Sequence, residues 1–279
     1  MRTKTLLIAV AALAVGVLTS SAQTYSQNIV GFVTQTLPYN GSTLTSHGWA
    51  NVCNTLDLSA GNSLTNIFPN PGPGAGANPL DFDKVFVWNG TGFTVYTIDS
   101  DYASGVGDAG DNDNVEPFAP TINPGSLIYI LNNGGNISTP STNVLVGAVH
   151  VDALAAGTQT VGSTTNILTK GFNFVASKLP IGGGLTSVLQ LTNPVVGGNG
   201  GPNGGTGPLD FSLVSIPNIV NGHFIGFTTY TIDSDYASGW ADSGDNGIPS
   251  EPTVPVGVGI IIDYVDNLNQ GPYYWIQQY

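Results

Sequence analysis

Carboxylates supply the one concentrated chemical signal in this sequence. A stretch running from Gly92 to Gly105 recurs from Gly226 to Gly239, and the two copies differ only where Val95 is replaced by Thr229. Each copy contains Asp-Ser-Asp and continues into Asp-x-Gly-Asp-Asn, so Asp99, Asp101, Asp108 and Asp111 correspond one for one to Asp233, Asp235, Asp242 and Asp245. Each loop trails a glutamate before a proline, Glu116 or Glu251, and with Asp113 these make 11 of the 18 acidic residues. No Lys or Arg lies between Lys84 and Lys170, or after Lys178, to neutralise them. Two carboxylates about 6 Å apart repel by roughly 0.7 kcal/mol even at the dielectric of water. A hard divalent cation relieves that repulsion, and calcium accepts carboxylate, amide and backbone oxygens in irregular geometry. The eight aspartates are therefore candidate calcium ligands, although their spacing is not that of an EF-hand. The alternative is a solvated acidic loop that keeps the chain soluble.

Other chemistry is thinly represented. Asp233 with Asp235, or Asp99 with Asp101, has the composition of a glycosidase acid/base pair, but a pair duplicated with its fold suits a structural unit better than one active site. His47, His150 and His223 occupy unmatched positions in the two halves and read as ordinary strand or loop histidines. There is no Gly-x-Ser-x-Gly elbow, His-Glu-x-x-His or Cys-x-x-Cys, so no catalytic residue is assigned. Tyr236 and Trp240, beside the second acidic loop, are candidates for an aromatic platform under a sugar ring, against packing on the loop's own backbone. Cys53 is the sole cysteine and reads as a small buried hydrophobe.

These residues must be positioned by short strands. A near-identical repeat of this length marks a tandem duplication, so each half should have the same fold. Asn28 to Val33 and its echo Asn143 to Val149 read as the strand that opens each copy. Gly48 to Leu56 and Gly171 to Leu179 alternate apolar and polar residues as half-buried strands do. Ser63 to Phe68 and Gly184 to Leu189 carry apolar residues at the spacing of one short helical turn. Breaker-rich loops, Asn70 to Gly76 and Gly197 to Gly205, lead into Pro-Leu-Asp-Phe at Pro79 and Pro208. Strands follow at Val85 to Trp88 with Phe93 to Ile98, and at Leu213 to Ile216 with Phe224 to Ile232. Buried strands then run from Pro124 to Ile130 and from Val256 to Ile262, and copy two finishes at Tyr273 to Tyr279. The expected architecture is all-β, two tandem homologous domains of β-sandwich or barrel-like type, residues 23–142 and 143–279, joined at the breaker-rich Ser138 to Thr142.

Residues 1–22 have the basic start, short apolar run and small-residue end of a secretory signal peptide, with cleavage expected after Ala22. Their removal leaves three lysines against 18 acidic residues, a net charge of −15. That sign repels phosphate backbones and anionic lipid, which argues against nucleic-acid and membrane-surface partners, and no membrane span is expected in the mature chain.

Several short motifs carry a resemblance. Tyr25 to Val33, Gly-Phe-Asn-x-Val-Ala-Ser-x-Leu-Pro at Gly171 to Pro180, Trp88-Asn89-Gly90-x-Gly92-Phe93, and Pro124-Gly125 before a buried strand resemble a group of secreted β-proteins common in verrucomicrobial genomes. More distantly they are similar to the Gly-Trp-Asn-type β modules of bacterial exported proteins. The first copy departs from the pattern, with Ala50 in place of Asn and Asp57 in place of Pro. The resemblance implies the β fold and export, and implies no catalytic residue.

Two functions remain open. The first is a secreted, non-enzymatic structural or adhesive protein that self-associates through β-edges, because two β-domains with three basic residues lack the lysines that commonly protect edges. The second is an extracellular glycan-binding module, its partner a polysaccharide, with Tyr236 and Trp240 as platform and calcium-assisted acidic loops.

Overall fold

The computed structural model describes residues 30–37, 48–68, 80–110, 119–132, 142–150, 152, 163–193, 207–220 and 223–278. The leader, the two breaker-rich loops, Ser138 to Ser141 of the expected joint, His47, Asp111, Asp113 and Glu116 lie outside them. Among the described residues the chain is almost wholly β, in antiparallel sheets, as its short alternating segments dictate. No helix among them is long and apolar enough to cross a membrane.

The strands in order are β1 (Val30–Thr36), β2 (Trp49–Cys53), β3 (Leu56–Asp57), β4 (Lys84–Trp88), β5 (Phe93–Ile98), β6 (Val106–Gly107), β7 (Leu127–Leu131) and β8 (Thr142–Val149). They continue as β9 (Ser163–Leu168), β10 (Gly171–Ala176), β11 (Gly183–Gly184), β12 (Leu213–Val220), β13 (His223–Ile232), β14 (Trp240–Asp242), β15 (Thr253–Val254), β16 (Gly259–Tyr264) and β17 (Tyr273–Gln278). One helical turn, α1 (Leu64–Ile67), follows β3 where the sequence places it.

Two five-stranded sheets have the same internal order, β2-β7-β4-β5-β6 and β10-β16-β12-β13-β14. The duplicated stretch forms the same hairpin in both, with Ile98 opposite Val106 and Ile232 opposite Trp240. A smaller sheet covers each: β1-β8-β3 on the first and the two-stranded ladder β17-β9 on the second. Alternation then sends every second side chain inward. One core gathers Val33, Val52, Leu56, Val85, Ile128 and Leu145, and a separate core gathers Leu168, Val214, Ile260, Ile262, Trp240 and Trp275.

The strand at 142–149 has a different role from the one its sequence implies. Rather than opening the second copy, β8 pairs along its whole length with β1 and also with β3, and Leu145 is buried in the first core. By element order its counterpart is β17, which pairs with β9 in the same way. The likeness between β1 and β8 is that of two partners in one ladder, both alternating apolar residues over the same core. Strand β9, which has a polar composition, is the longest element that sequence periodicity missed. Asp57 also gains an explanation: a residue with an N–H extends β3 beside β8, whereas Pro180 at the matching place in copy two has none to offer.

The halves meet through backbone and rings. The Asn51 side chain pairs with the Gly259 backbone, accepting from its N–H at 2.8 Å and donating to its carbonyl at 3.2 Å. Ala176 N–H donates to the Gly125 carbonyl at 2.9 Å. Gly259 must be glycine here, because a Cβ would come within 2.6 Å of Leu127. An aromatic seam runs alongside, with Trp88 and Phe174 ring centres 4.4 Å apart and Tyr129 and Phe224 6.2 Å apart.

Candidate functional site

Both acidic loops begin with one turn, repeated bond for bond. Asp99 Oδ1 accepts the Asp101 N–H at 2.7 Å, and Asp233 Oδ1 accepts the Asp235 N–H at 2.8 Å. Gly105 and Gly239 close the turns at φ 74° and 75°, a left-handed backbone that glycine adopts without strain. Ser104 and Ser238 donate to the carbonyls of residues 106 and 240. Asp99, Asp233, Ser104 and Ser238 of the repeated Asp-Ser-Asp-x-x-Ser-Gly run thus each have a backbone task, which bears on its near-identity in the two halves.

The loops are anchored by a residue that loop composition alone does not single out. The aspartate of Pro-Leu-Asp-Phe, Asp81 or Asp210, accepts both the N–H and the hydroxyl of the serine between the two loop aspartates. Those bonds are 2.9 and 2.7 Å to Ser100, and 2.9 and 2.7 Å to Ser234. Asp210 also accepts from Gly207 N–H at 2.6 Å and from Asn193 Nδ2 at 2.5 Å. Phe82 and Phe211, which follow, hold φ of 66° and 64° although aromatic residues are rarely left-handed. The sequence signal for this anchor was the recurrence of Pro-Leu-Asp-Phe itself.

The distal carboxylates are likewise turned to their own loops. Asp108 accepts from Gly110 N–H at 2.7 Å. Asp242 accepts the N–H groups of Gly244 and Asn246 and the Asn246 side chain, and these bonds hold its carboxyl below the usual carboxylate range. Asp245, at φ 59°, offers its carbonyl to the Tyr236 hydroxyl at 2.6 Å. Among the described residues no three His, Cys, Asp or Glu side chains converge as ligands of one ion, and Asp99, Asp108, Asp233 and Asp242 each accept an N–H of their own loop. Asp111 lies outside the described set.

Asp233 feels its neighbours. Burial, and then the charges of Asp235, Asp245 and Asp210, hold its carboxyl above the usual range despite the Asp235 N–H. A raised carboxyl opposes folding once both states are ionised, and that opposition vanishes below the unfolded value near 3.8. Asp233→Asn keeps an oxygen for the Asp235 N–H and removes the charge. It should melt no lower than wild type at pH 7, with any gain gone below about pH 4. Thermal melts at the two pH values check this.

Tyr236 lies against Gly247, where a Cβ would come within 2.3 Å of its ring. Trp240 is only 2% exposed, belongs to the second core and donates its indole N–H to Thr186 Oγ1 at 3.0 Å. Both nevertheless line a pocket of about 250 Å³, together with Ser234, Ser238, Thr186 and Asn193. The tyrosine is half-buried, and the tryptophan supplies wall rather than platform.

Glu251 crosses from the loop's end to another element. It accepts the N–H groups of Thr186 and Ser187 at 2.5 and 2.9 Å, capping the turn whose counterpart α1 is capped by Ser63. Gly184 has no side chain to cap with, so the cap is brought from afar. Burial raises its carboxyl, but the bonds from Ser187 and Thr186 outweigh that and leave it low. Glu251→Ala should cost about 1 kcal/mol, the usual value of a cap. A lowered carboxyl stabilises above its unfolded value and loses that contribution as pH falls through the folded one, so the difference between variant and wild type should close below pH 4.5. Denaturant titrations across that range measure it.

His150 belongs to a network that its sequence context hides. Its Nδ1 lies 2.7 Å from Asp57 Oδ2 and its Nε2 lies 2.9 Å from Asp152 Oδ1, while Lys178 Nζ lies 3.3 Å from the same Asp152 oxygen. Asp152 also accepts the Thr165 N–H at 2.5 Å. Burial works against its charge, but Lys178, His150 and Thr165 prevail and its carboxyl is lowered. The cluster ties β3 to β9 and to the residues after β10, which is a structural task. His223's side chain lies outside the described set. Cys53 is buried and its thiol is pushed up by burial, as a core residue's would be.

Compared with protein-family models, curated proteins and solved structures, the chain matches none.

Proposed function

We propose that the chain is a secreted, non-enzymatic structural or adhesive protein of the extracellular space or cell surface, built from one β-sandwich unit used twice, and that it associates with copies of itself. On this reading the first unit ends after β8. The observation that carries it is the ladder β9–β17, which among the described residues is a sheet of two strands with no Lys, Arg, Asp or Glu in either strand. Soluble β-proteins blunt such edges with charge, bulges or cover. The loop carboxylates support the same reading, since their bonds maintain the loops. The leader-like N-terminus and the resemblance to exported β-proteins support secretion.

Exported protein should begin at Gln23 by intact-mass analysis, and retention of Arg2 or Lys4 counts against secretion by this leader. Sedimentation velocity of the mature chain should show average mass rising with concentration. A concentration-independent monomer overturns self-association.

A second reading, glycan binding, draws on the hydroxyl-lined pocket beside Tyr236 and Trp240. It requires binding to neutral oligosaccharides that weakens in Tyr236→Ala and, if calcium assists, in chelator. A glycan array with and without calcium tests it, and melting curves identical in excess calcium and in chelator leave the acidic loops as structural elements only.

A further inference from the structure

The outward faces of the two covering ladders share one character. On β1 and β8 the exposed side chains are Val30, Phe32, Val144 and Val146, at 58, 69, 53 and 47% exposure, and Phe32 stands directly opposite Val146. On β9 and β17 they are Ile167, Tyr274 and Ile276, at 58, 55 and 46%, and Ile167 stands opposite Tyr274. Isolated exposed apolar residues are ordinary, but opposed pairs along a ladder make continuous patches, and such patches mark contact surfaces. They recur at matching places in both halves, since β1 corresponds to β9 and β8 to β17.

Charge identifies the occupant. None of the four strands contains Lys, Arg, Asp or Glu, in a chain whose formal net charge is −13. A basic partner would be drawn to the acidic loops, and an acidic partner meets least repulsion on uncharged faces such as these. Another copy of the chain is such an acidic body, and on these faces two copies oppose few carboxylates; Asp57 of β3, beside Ala148 in the first sheet, lies 2.7 Å from His150 Nδ1. We propose that the β1–β8 and β9–β17 faces are the seats of a second copy of this chain. The inference rests on the self-association reading above and names its surface. With two faces per chain, assembly extends beyond a pair.

Salt dependence gives the first test. Apolar faces on like-charged bodies associate more tightly as salt screens the repulsion, whereas contacts between opposite charges loosen. Sedimentation velocity from low salt to about 0.5 M NaCl should show association strengthening, and weakening overturns the proposal. Phe32→Glu with Val146→Glu removes one face, and Ile167→Glu with Tyr274→Glu removes the other. All four side chains are exposed, so circular dichroism and melting should remain those of the wild type; Thr at the same positions repeats the test should Glu unfold the chain. Removing one face should stop growth at a dimer or monomer, and removing both should weaken association at least tenfold, leaving monomer. If the wild type associates and the variant lacking both faces associates equally, these faces are wrong and self-association stands by another route. If the wild type is monomeric at every concentration and salt, both fall.

Discussion

Asp210→Ala is expected to destabilise the second half by about 4 kcal/mol. The carboxylate is 2% exposed and accepts from Ser234 N–H, Ser234 Oγ, Gly207 N–H and Asn193 Nδ2. Hydrogen bonds to a charged acceptor contribute about 1.5–3 kcal/mol each, they are not additive, and the donors left behind are stranded where water reaches them poorly. At this size the loss lowers the melting temperature by roughly 10 °C. Asp210→Asn should fall between, because it keeps an acceptor and the shape but lacks the charge. Asp235→Ala, one turn away and exposed, should change stability by no more than about 0.5 kcal/mol. Denaturant unfolding followed by tryptophan fluorescence reads all three, since Trp240 and Trp275 both lie in the affected core. A change below about 1 kcal/mol for Asp210→Ala would show that the anchor is dispensable.

Trp275→Ala is expected to cost a similar amount, about 3–5 kcal/mol, the range for emptying a large aromatic from a packed core. Its side chain is fully buried in β17, and its indole N–H donates to the Leu189 carbonyl at 2.6 Å. Trp275→Phe should cost less, about 1–2 kcal/mol, because most of the volume remains while Leu189 keeps only the 3.3 Å bond from Gln277. Tyr274→Ala is the control, since that ring faces out at 55% exposure. Because the two cores are separate clusters, the Trp275→Ala transition should split, the second half melting at lower denaturant than the first. A single unshifted transition refutes the assignment of β17 to the second core.

These outcomes locate what sequence reading captures. Asp99, Asp101, Asp233 and Asp235 stood out because carboxylates cluster along the chain, yet clustering in sequence does not say whether oxygens converge on a point. Asp99 and Asp233 instead turn to the N–H of Asp101 and Asp235 in their own loops, a choice made by φ and ψ over a few residues. Asp210, Asp152 and Glu251 hold the more demanding positions, and their partners lie up to 65 positions away along the chain.

What the sequence determined by itself is whatever local periodicity and repetition encode. Alternating apolar residues made the chain all-β, the doubled stretch made two equivalent hairpins, and apolar spacing placed the turn at α1. Tertiary structure decided which strand pairs with which. A segment such as Thr142 to Val149 has the same inward–outward alternation whether it begins a unit or ends one, so only the registry against β1 and β3 assigns it. Tertiary structure likewise separated Trp240 from Tyr236, sending one into the core and laying the other on Gly247. Burial depends on what packs from the opposite sheet, and no window of neighbouring residues contains that information.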